Sequence, residues 1–219
     1  GLMIAGASGG AAAVATYTMQ DTFNSATTDL TWVNFLDGGG TWTSGDGGTK
    51  IWAASNDLVN TGYRKKIDVT ASEGYMALII RPTVGVGTLP IGGFRSASGA
   101  ECEISFRDWD TDHWNTVRID LNAGSSAEVT LQSDINTTYY ILVYYKKETN
   151  DDNNAICRVW RTTTQPTTVA GWGTATKNIT DGTSNRDYTH VNIGHNVGSQ
   201  TVIADEFRMN SNSTVIYYD

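Results

Sequence analysis

The sequence has few cysteine and proline residues and little charge, and these shortages exclude several classes of protein. Its 219 residues include 2 cysteines and 3 prolines, and 17% of them are charged. Two cysteines in a chain of this length make neither a disulfide scaffold nor a cysteine-based metal knuckle. Low charge with little proline is the composition of a compact folded chain and argues against a disordered tail.

Basic residues and long apolar runs are also lacking. Lysine and arginine number 15 against 23 aspartates and glutamates, which gives a formal net charge of -8. Because nonspecific affinity for nucleic acid comes from clustered cations, this balance argues against a nucleic-acid partner. No stretch approaches the roughly 18 to 20 consecutive apolar residues that cross a bilayer, so we expect no membrane partner either.

The sequence is rich in glycine, with 23 residues, and its β-branched and aromatic residues form short runs between turns. Little of it has a helical pattern, and many strands at roughly 8- to 15-residue spacing predict an all-β antiparallel sandwich or barrel. We expect a single domain over residues 21–219. The predicted strands are residues 75–82, 101–107, 115–121, 127–132, 137–147, 155–161, 190–194, 201–209 and 214–219.

Alternation along the strands predicts which side chains face the core. In residues 101–106, Cys102 lies between Glu101 and Glu103, so the cysteine and the two glutamates belong to opposite faces. Cys102 is therefore either a buried thiol acting as a small hydrophobe or, if the strands adjoin, half of a disulfide with Cys157. The strand at residues 137–147 is apolar or aromatic on both sides, which is typical of a strand covered on both faces or facing a ligand.

Residues 1–20 precede the predicted domain, and the first fifteen carry no charged side chain. A secretory signal peptide is one interpretation, but no basic residue precedes Leu2 and glycines interrupt the apolar stretch. The alternative is an extended N-terminal arm docked on its own domain or on a neighbouring subunit. We predict an assembly arm in which the apolar contacts come from Leu2, Met3, Ile4 and Val14.

Three segments follow one another along the chain, over residues 106–121, 137–160 and 191–209. In this order they resemble the concanavalin A-like lectin/glucanase jelly roll in its laminin-G-like form. The resemblance covers roughly residues 100–210 and implies a two-sheet jelly-roll sandwich with one concave face. It carries little information about function, because this fold hosts lectins, glycosidases, adhesion modules and virion proteins. The matching positions are Phe106-Arg107, Asp112, Trp114, Val117-Arg118-Ile119, Thr138-Tyr139, Val159-Trp160, Ile193-Gly194 and residues 204–208.

The laminarinase-like branch of this fold places its catalytic carboxylates on one strand as Glu-x-Asp-x-x-Glu or Glu-x-Asp-x-Glu. Here Glu101 and Glu103 match the first two positions, but Ser105 and Phe106 occupy both places where the acid/base glutamate would stand. Without that proton donor we predict no catalytic residue and no enzymatic activity.

The alternating carboxylates Asp108, Asp110 and Asp112 have the spacing of oxygen ligands for Ca²⁺. They lack the glycine and the distal glutamate of an EF-hand loop, and a hairpin turn is the favoured explanation. We therefore predict no cofactor, with calcium at these residues as the alternative.

Aromatic side chains offer flat faces to sugars, and four of them are not explained by strand packing. Trp109 is predicted at a hairpin tip and Trp172 lies between two glycines, while Tyr140 and Tyr144 share the second face of the doubly apolar strand. The predicted glycan- or partner-binding residues are Trp109, Trp172, Tyr140, Tyr144, Glu101, Glu103 and His113.

These observations predict a non-catalytic structural or binding protein of a bacteriophage virion, such as a decoration, fibre or tail protein. Its partners would be other virion subunits or further copies of itself, joined through the N-terminal arm, and a polysaccharide. A secreted or cell-surface carbohydrate-binding module, which would be extracellular, is the alternative. A laminarinase-like glycoside hydrolase is the third interpretation.

Overall fold

The computed structural model describes residues 17–21, 33–34, 41–44, 50–53, 65–84, 87–96, 99–121, 125–148, 155–181, 186–193 and 201–218. This part of the chain consists of strands, turns and one short 3-10 helix at Val169–Trp172. None of its helical structure is long and apolar enough to span a membrane. The strands are β1 (Met19–Asp21), β2 (Val33–Asn34), β3 (Thr41–Ser44), β4 (Lys50–Ala53), β5 (Lys65–Ala71), β6 (Glu73–Val84), β7 (Leu89–Ser96), β8 (Gly99–Asp110), β9 (His113–Leu121), β10 (Ser125–Asp134), β11 (Tyr139–Lys147), β12 (Ala155–Thr162), β13 (Lys177–Asp181), β14 (Tyr188–Ile193) and β15 (Thr201–Asn210).

The strands form two antiparallel sheets packed face to face. Sheet A has the order β13-β12-β11-β6-β15-β4-β3, with β1 paired to β15, and sheet B has the order β10-β9-β8-β7-β14-β5-β2. Neighbours in both sheets come from distant parts of the sequence, such as β6 beside β15, as in Greek-key and jelly-roll sandwiches. The predicted all-β two-sheet sandwich is confirmed.

The core lies between the sheets and follows the predicted alternation except at Glu101. This residue is fully buried at a shift in register and hydrogen-bonded to Ser96, so the prediction that it shares a face with Glu103 is wrong. In β8, Cys102, Ile104 and Phe106 are fully or almost fully buried and face sheet A, which contributes Ile141 and Val143 of β11 among others. Inward-facing residues on one strand of sheet B lie opposite inward-facing residues on the next strand. The buried face is therefore continuous from strand to strand. The sequence pattern thus determined which face of each central strand is buried.

Cys102 and Cys157 form a disulfide that joins the two sheets. Cys102 lies on β8 of sheet B and Cys157 on β12 of sheet A, with 5.4 Å between their Cα atoms. Of the two interpretations that the sequence left open, a buried thiol and a disulfide, the structure has the second. The sequence does not reveal that these two strands face each other across the core.

A second apolar cluster covers part of the outer face of sheet A. Trp172, Ile216 and Tyr218 pack there on Ala77, Ile79 and Leu142. The strand predicted over residues 214–219 is therefore wrong for the described residues 214–218, which run across the sheet face. The Tyr218 amide donates to the carbonyl of Pro166 (2.8 Å) instead of to a neighbouring strand. The strand β11 is covered on both faces, as its doubly apolar sequence predicts.

The two ends of the described chain meet beside β15. β1 pairs with β15, and the Arg208 guanidinium lies 4.8 Å from the ring centres of both Tyr17 and Tyr218. Residues 17–20, which the sequence assigned to the arm, therefore belong to the sandwich. The predicted contacts of Leu2, Met3, Ile4 and Val14 lie outside the described residues.

Candidate functional site

Polar residues of five neighbouring strands form a transverse row on the outer face of sheet B. In order from β5 to β9, the row consists of Lys66, Asn192, Gly93, Glu103 and Asp120, each directly opposite the next. Directly opposed residues of antiparallel strands point to the same face, and the residues flanking this row point into the core. The row therefore crosses the middle of the sheet on the side away from sheet A.

The row contains a glycine because no other residue fits there. Gly93 has φ +155°, and a Cβ atom at this position would lie 2.0 Å from the carbonyl oxygen of Cys102 on β8. Only glycine adopts such a conformation readily. As a consequence, no side chain stands between Asn192 and Glu103 on this face.

A second row runs beside the first and places a histidine next to an arginine. His190 of β14 lies opposite Asp68 of β5 on one side and Arg95 of β7 on the other. The Nη1 atom of Arg95 is 2.5 Å from Oε2 of Glu103, so the ion pair links the two rows. Burial, assisted by the charges of Lys66 and Arg95, lowers the pKa of His190 to about 4. His190 is therefore a neutral imidazole near neutral pH.

Glu101 lies at a shift in register between β7 and β8 and is completely buried. Its Oε1 atom accepts a hydrogen bond from Ser96 Oγ (2.5 Å) and lies 4.0 Å from Nε of Arg186. Its Oε2 atom has no hydrogen-bond partner within the described ranges. Burial raises the pKa of the Glu101 carboxyl, against the opposing effects of Ser96, Arg186 and Arg95. Glu101 and Glu103 are thus both close to Arg95, but in different environments.

Positive charges on this face have negative partners. Besides Arg95 and Glu103, Lys66 pairs with Asp68 at 2.8 Å and Arg118 pairs with Asp120 at 2.7 Å. On the outer strands, Arg107 and Arg118 each lie 3.4 Å from the carboxylate of Glu128. The described part of the face is therefore polar and nearly charge-balanced.

Asn192 differs from its neighbours in the row. It is 0% exposed, and neither its Nδ2 nor its Oδ1 atom has a hydrogen-bond partner among the described residues. Buried side-chain amides normally have partners, and an unsatisfied one is a departure that marks functional sites.

The structure does not bring the predicted aromatic residues together with this polar face. Trp172 is 6% exposed, and its Nε1–H donates to the carbonyl of Ile216 (2.5 Å), so its burial corrects the expectation of an exposed ring. Trp109 lies within β8 and packs on Trp114 with 4.6 Å between ring centres, while Thr111 and Asp112 form the hairpin tip. Both indoles pack against apolar clusters of the sandwich.

Tyr140 and Tyr144 lie on the outer face of sheet A, as the alternation predicts. Tyr140 packs on Tyr218 with 5.5 Å between ring centres. Tyr144 is 4.5 Å from Tyr75, and its hydroxyl donates to Glu73 Oε1 (2.7 Å). These rings form a separate aromatic surface on the opposite sheet from Glu101 and Glu103.

The hairpin carboxylates have separate partners. Thr116 donates to Asp108 and Thr111 to Asp110, while Asp112 lies 2.7 Å from Nδ1 of His113. The hydrogen bond to Asp112 raises the pKa of His113, which lies at the end of the hairpin far along the sheet from the transverse row. Within the described ranges, no group of three or more His, Cys, Asp and Glu side chains is placed to hold a metal ion.

Sequence reasoning missed Lys66, Arg95, His190 and Asn192 as members of a common site. The pattern of β14 contained a usable signal, because His190 and Asn192 alternate with the apolar residues Val191 and Ile193. Which strands adjoin β14 is fixed by long-range pairing, and no local pattern reports it.

No protein-family model matches the chain, and no curated protein matches it significantly. Solved structures do. A complex of an Aly36B alginate lyase variant with alginate trisaccharide matches with TM-score 0.55 at 13% identity, over 77% of this chain and 83% of that one. The β-glucanase of Bacillus licheniformis matches with TM-score 0.54 at 13% identity, over 88% and 97%. The binding domain of botulinum neurotoxin serotype C1 matches with TM-score 0.56 at 8% identity, over 91% of this chain and 50% of that one.

These likenesses show the fold, which is that of the concanavalin A-like jelly roll, as the sequence resemblance implies. The prediction that the chain is not an enzyme is contradicted, because an alginate lyase and a β-glucanase are built on this same fold. That prediction depended on the absence of the acid/base glutamate. The pattern that contains this glutamate belongs to the laminarinase-like branch alone. Other chemistry can be placed on the same scaffold by different residues.

Proposed function

We propose that this protein binds a polysaccharide along the outer face of sheet B and cleaves it there. The observation that carries the proposal is the pair of polar rows on this face, where the desolvated amide of Asn192 and the neutral imidazole of His190 lie on β14, one strand away from the ion-paired Glu103 of β8. Sites that act on ligands combine a few convergent polar groups with perturbed pKa values in this way. The likeness to a β-glucanase and an alginate lyase supports the same class of substrate.

Hydrolysis is the reaction that the two glutamates serve best. Glycoside hydrolysis requires one carboxyl group that gives a proton to the leaving oxygen and a second carboxylate that attacks the sugar or activates water. The raised pKa of Glu101 suits the proton donor, because burial favours the protonated carboxyl. Since Glu101 is fully buried, this role requires the groups that cover it to move when the polysaccharide binds. Glu103, held by Arg95, supplies the carboxylate. In this assignment Glu101 is the acid/base residue. The laminarinase-like pattern places that residue at position 105 or 106, where this chain has Ser105 and Phe106.

Elimination is a second candidate, favoured by His190. Its pKa of about 4 leaves the imidazole unprotonated near neutral pH and able to accept a proton from a sugar carbon. Elimination acts on uronate chains, whose carboxylate must be neutralised during the reaction. The charge-balanced face of sheet B offers this less readily, because Lys66 and Arg95 are already paired with Asp68 and Glu103.

The finer predictions of a virion role, an assembly arm and a homo-oligomer depend on residues 1–16, which lie outside the described part of the chain, and they stay predictions. The disulfide between Cys102 and Cys157 supports a place of action outside the reducing cytosol, because disulfides persist mainly in oxidising compartments. Both a particle surface and a secreted protein fit that environment.

A panel of polysaccharides tests the proposal. Purified protein is incubated with a neutral β-glucan and with alginate, and two products are followed, new reducing ends and the ultraviolet absorbance of unsaturated sugars. Hydrolysis gives reducing ends alone, whereas elimination gives both signals. Binding without either product would reject cleavage, and the absence of binding to every polysaccharide would reject the proposal as a whole.

A further inference from the structure

Burying the side chain of Asn192 within the sheet costs free energy. Its carboxamide is fully buried, and in the part of the chain that the structure describes its donor and acceptor both lack partners. An apolar side chain of similar volume would avoid that cost, because removing an unsatisfied polar group can be neutral or stabilising. A group retained at a cost to stability points to a role in binding.

The neighbours of Asn192 leave a polar ligand as the partner for its carboxamide. Gly93 on one side has no side chain, and the ammonium group of Lys66 on the other side pairs with Asp68 at 2.8 Å. In the adjoining row, Arg95 pairs with Glu103. These two cations are thus paired with carboxylates, while the carboxamide on β14, the strand between β5 and β7, keeps an N–H donor and a carbonyl acceptor.

We infer that Asn192 reads a pair of adjacent hydroxyl groups on a neutral sugar of the bound polysaccharide, over the gap left by Gly93. The inference rests on the proposed function and adds the class of substrate. A carboxamide donates through Nδ2 and accepts through Oδ1, and two neighbouring hydroxyls satisfy both because each can accept and donate. A uronate also has ring hydroxyls, but its carboxylate would lie against a face whose cations Lys66 and Arg95 are already paired with Asp68 and Glu103, so a neutral sugar fits better.

Access to the carboxamide requires a side chain to move. Lys66 is the directly opposed residue on β5, and its ion pair with Asp68 is near the surface, with the Asp68 side chain 72% exposed. Exposed ion pairs are weak, so the long lysine side chain can swing away at little cost.

The test compares Asn192→Leu with a matched control. Asn178→Leu makes the same substitution at an exposed position on β13 of the other sheet. Affinity for a soluble neutral β-glucan and for alginate is measured by titration calorimetry, and thermal unfolding is followed for each variant without ligand. We expect wild type to prefer the neutral polysaccharide. Asn192→Leu should bind it at least tenfold more weakly and unfold at the same or a higher temperature, and Asn178→Leu should bind as wild type does.

The outcomes separate this inference from the proposed function. Undiminished binding by Asn192→Leu, or a marked fall in its unfolding temperature, would show that the carboxamide is structural and would overturn the inference while the proposed function stands. Preference of wild type for alginate would overturn the neutral substrate class. If wild type binds neither polysaccharide, the proposed function itself fails.

Discussion

Arg95 of β7 and Glu103 of β8 form an ion pair across two neighbouring strands, with 2.5 Å between Nη1 and Oε2. Both side chains are largely buried, at 18% and 12% exposure. The pair connects the row that contains Asn192 to the row that contains His190. It therefore holds the carboxylate to which we assign a catalytic role, and it supports the local order of the sheet.

Removing one member of this ion pair should lower the unfolding free energy more than removing both members. Arg95→Met leaves the Glu103 carboxylate buried without its cation, and we expect unfolding free energy to fall by about 3 kcal/mol. The double variant Arg95→Met with Glu103→Leu should recover most of that loss, because no buried charge remains. Urea unfolding measures both. Lys66→Met, which breaks the exposed pair with Asp68, serves as the control and should change stability by less than about 1 kcal/mol. A single variant as stable as wild type would contradict the buried-pair interpretation.

His190 should make the protein less stable in mild acid. Its pKa is about 4 in the folded protein and about 6.5 in an unfolded chain. Between these values the unfolded state binds the proton and the folded state does not, so stability falls as pH drops from 6.5 to 4. The loss should total about 3 kcal/mol, at about 1.4 kcal/mol per pH unit. Guanidinium unfolding at a series of pH values should show this slope for wild type and a shallower one for His190→Gln.

His113 provides a control of opposite sign for that measurement. Its pKa is raised by Asp112, so the protonated form is favoured in the folded protein. Its contribution is present below pH 6.5 and is lost as pH rises through the folded pKa. His113→Gln should therefore lower stability slightly in acid and leave the slope from His190 in place. An unchanged slope in His190→Gln would show that another group is responsible.

Trp172 should be important for stability and unimportant for sugar binding. Its indole packs on Ile79, Leu142 and Tyr218 on sheet A, and Nε1–H donates to the carbonyl of Ile216. Trp172→Ala should lower the unfolding free energy by about 3 to 5 kcal/mol, because it removes a large buried ring. Trp172→Phe should cost about 1 to 3 kcal/mol, since the buried carbonyl loses its donor. Glycan affinity of folded Trp172→Phe should equal that of wild type, and a selective loss would restore the ring as a sugar platform.

The sequence pattern predicts the core of this fold better than its edges. Cys102, Ile104 and Phe106 alternate with polar residues, so the inward face of β8 can be predicted from the sequence alone. The segment at residues 214–218 is apolar enough to resemble a strand, yet it lies across the outer face of sheet A. Local pattern reports that a segment buries apolar side chains, and it does not report whether a strand edge is free to pair with it.

The site was predictable only in part for the same reason. Glu101 and Glu103 were identified because their spacing on one strand is visible in the sequence. His190 and Asn192 lie near them because β7 pairs with both β8 and β14. These two strands are far apart in the sequence. The burial of Trp172 likewise depends on Ile216 and Tyr218, more than forty residues away. Contacts of this range come from topology, which the pattern of one chain does not specify.

The proposed hydrolysis of a neutral polysaccharide by Glu101 and Glu103 can be tested most directly with variants of the two glutamates. Wild type, Glu101→Gln and Glu103→Gln are incubated with β-glucan, and reducing ends are counted alongside the unfolding temperature of each protein. Glu128→Gln, on the exposed edge of the same sheet, is the matched control. We expect wild type and Glu128→Gln to release reducing ends without unsaturated products, while Glu101→Gln and Glu103→Gln stay folded and lose activity by about 100-fold or more. Equal rates in all four proteins, or no release by wild type, would contradict the proposed hydrolysis.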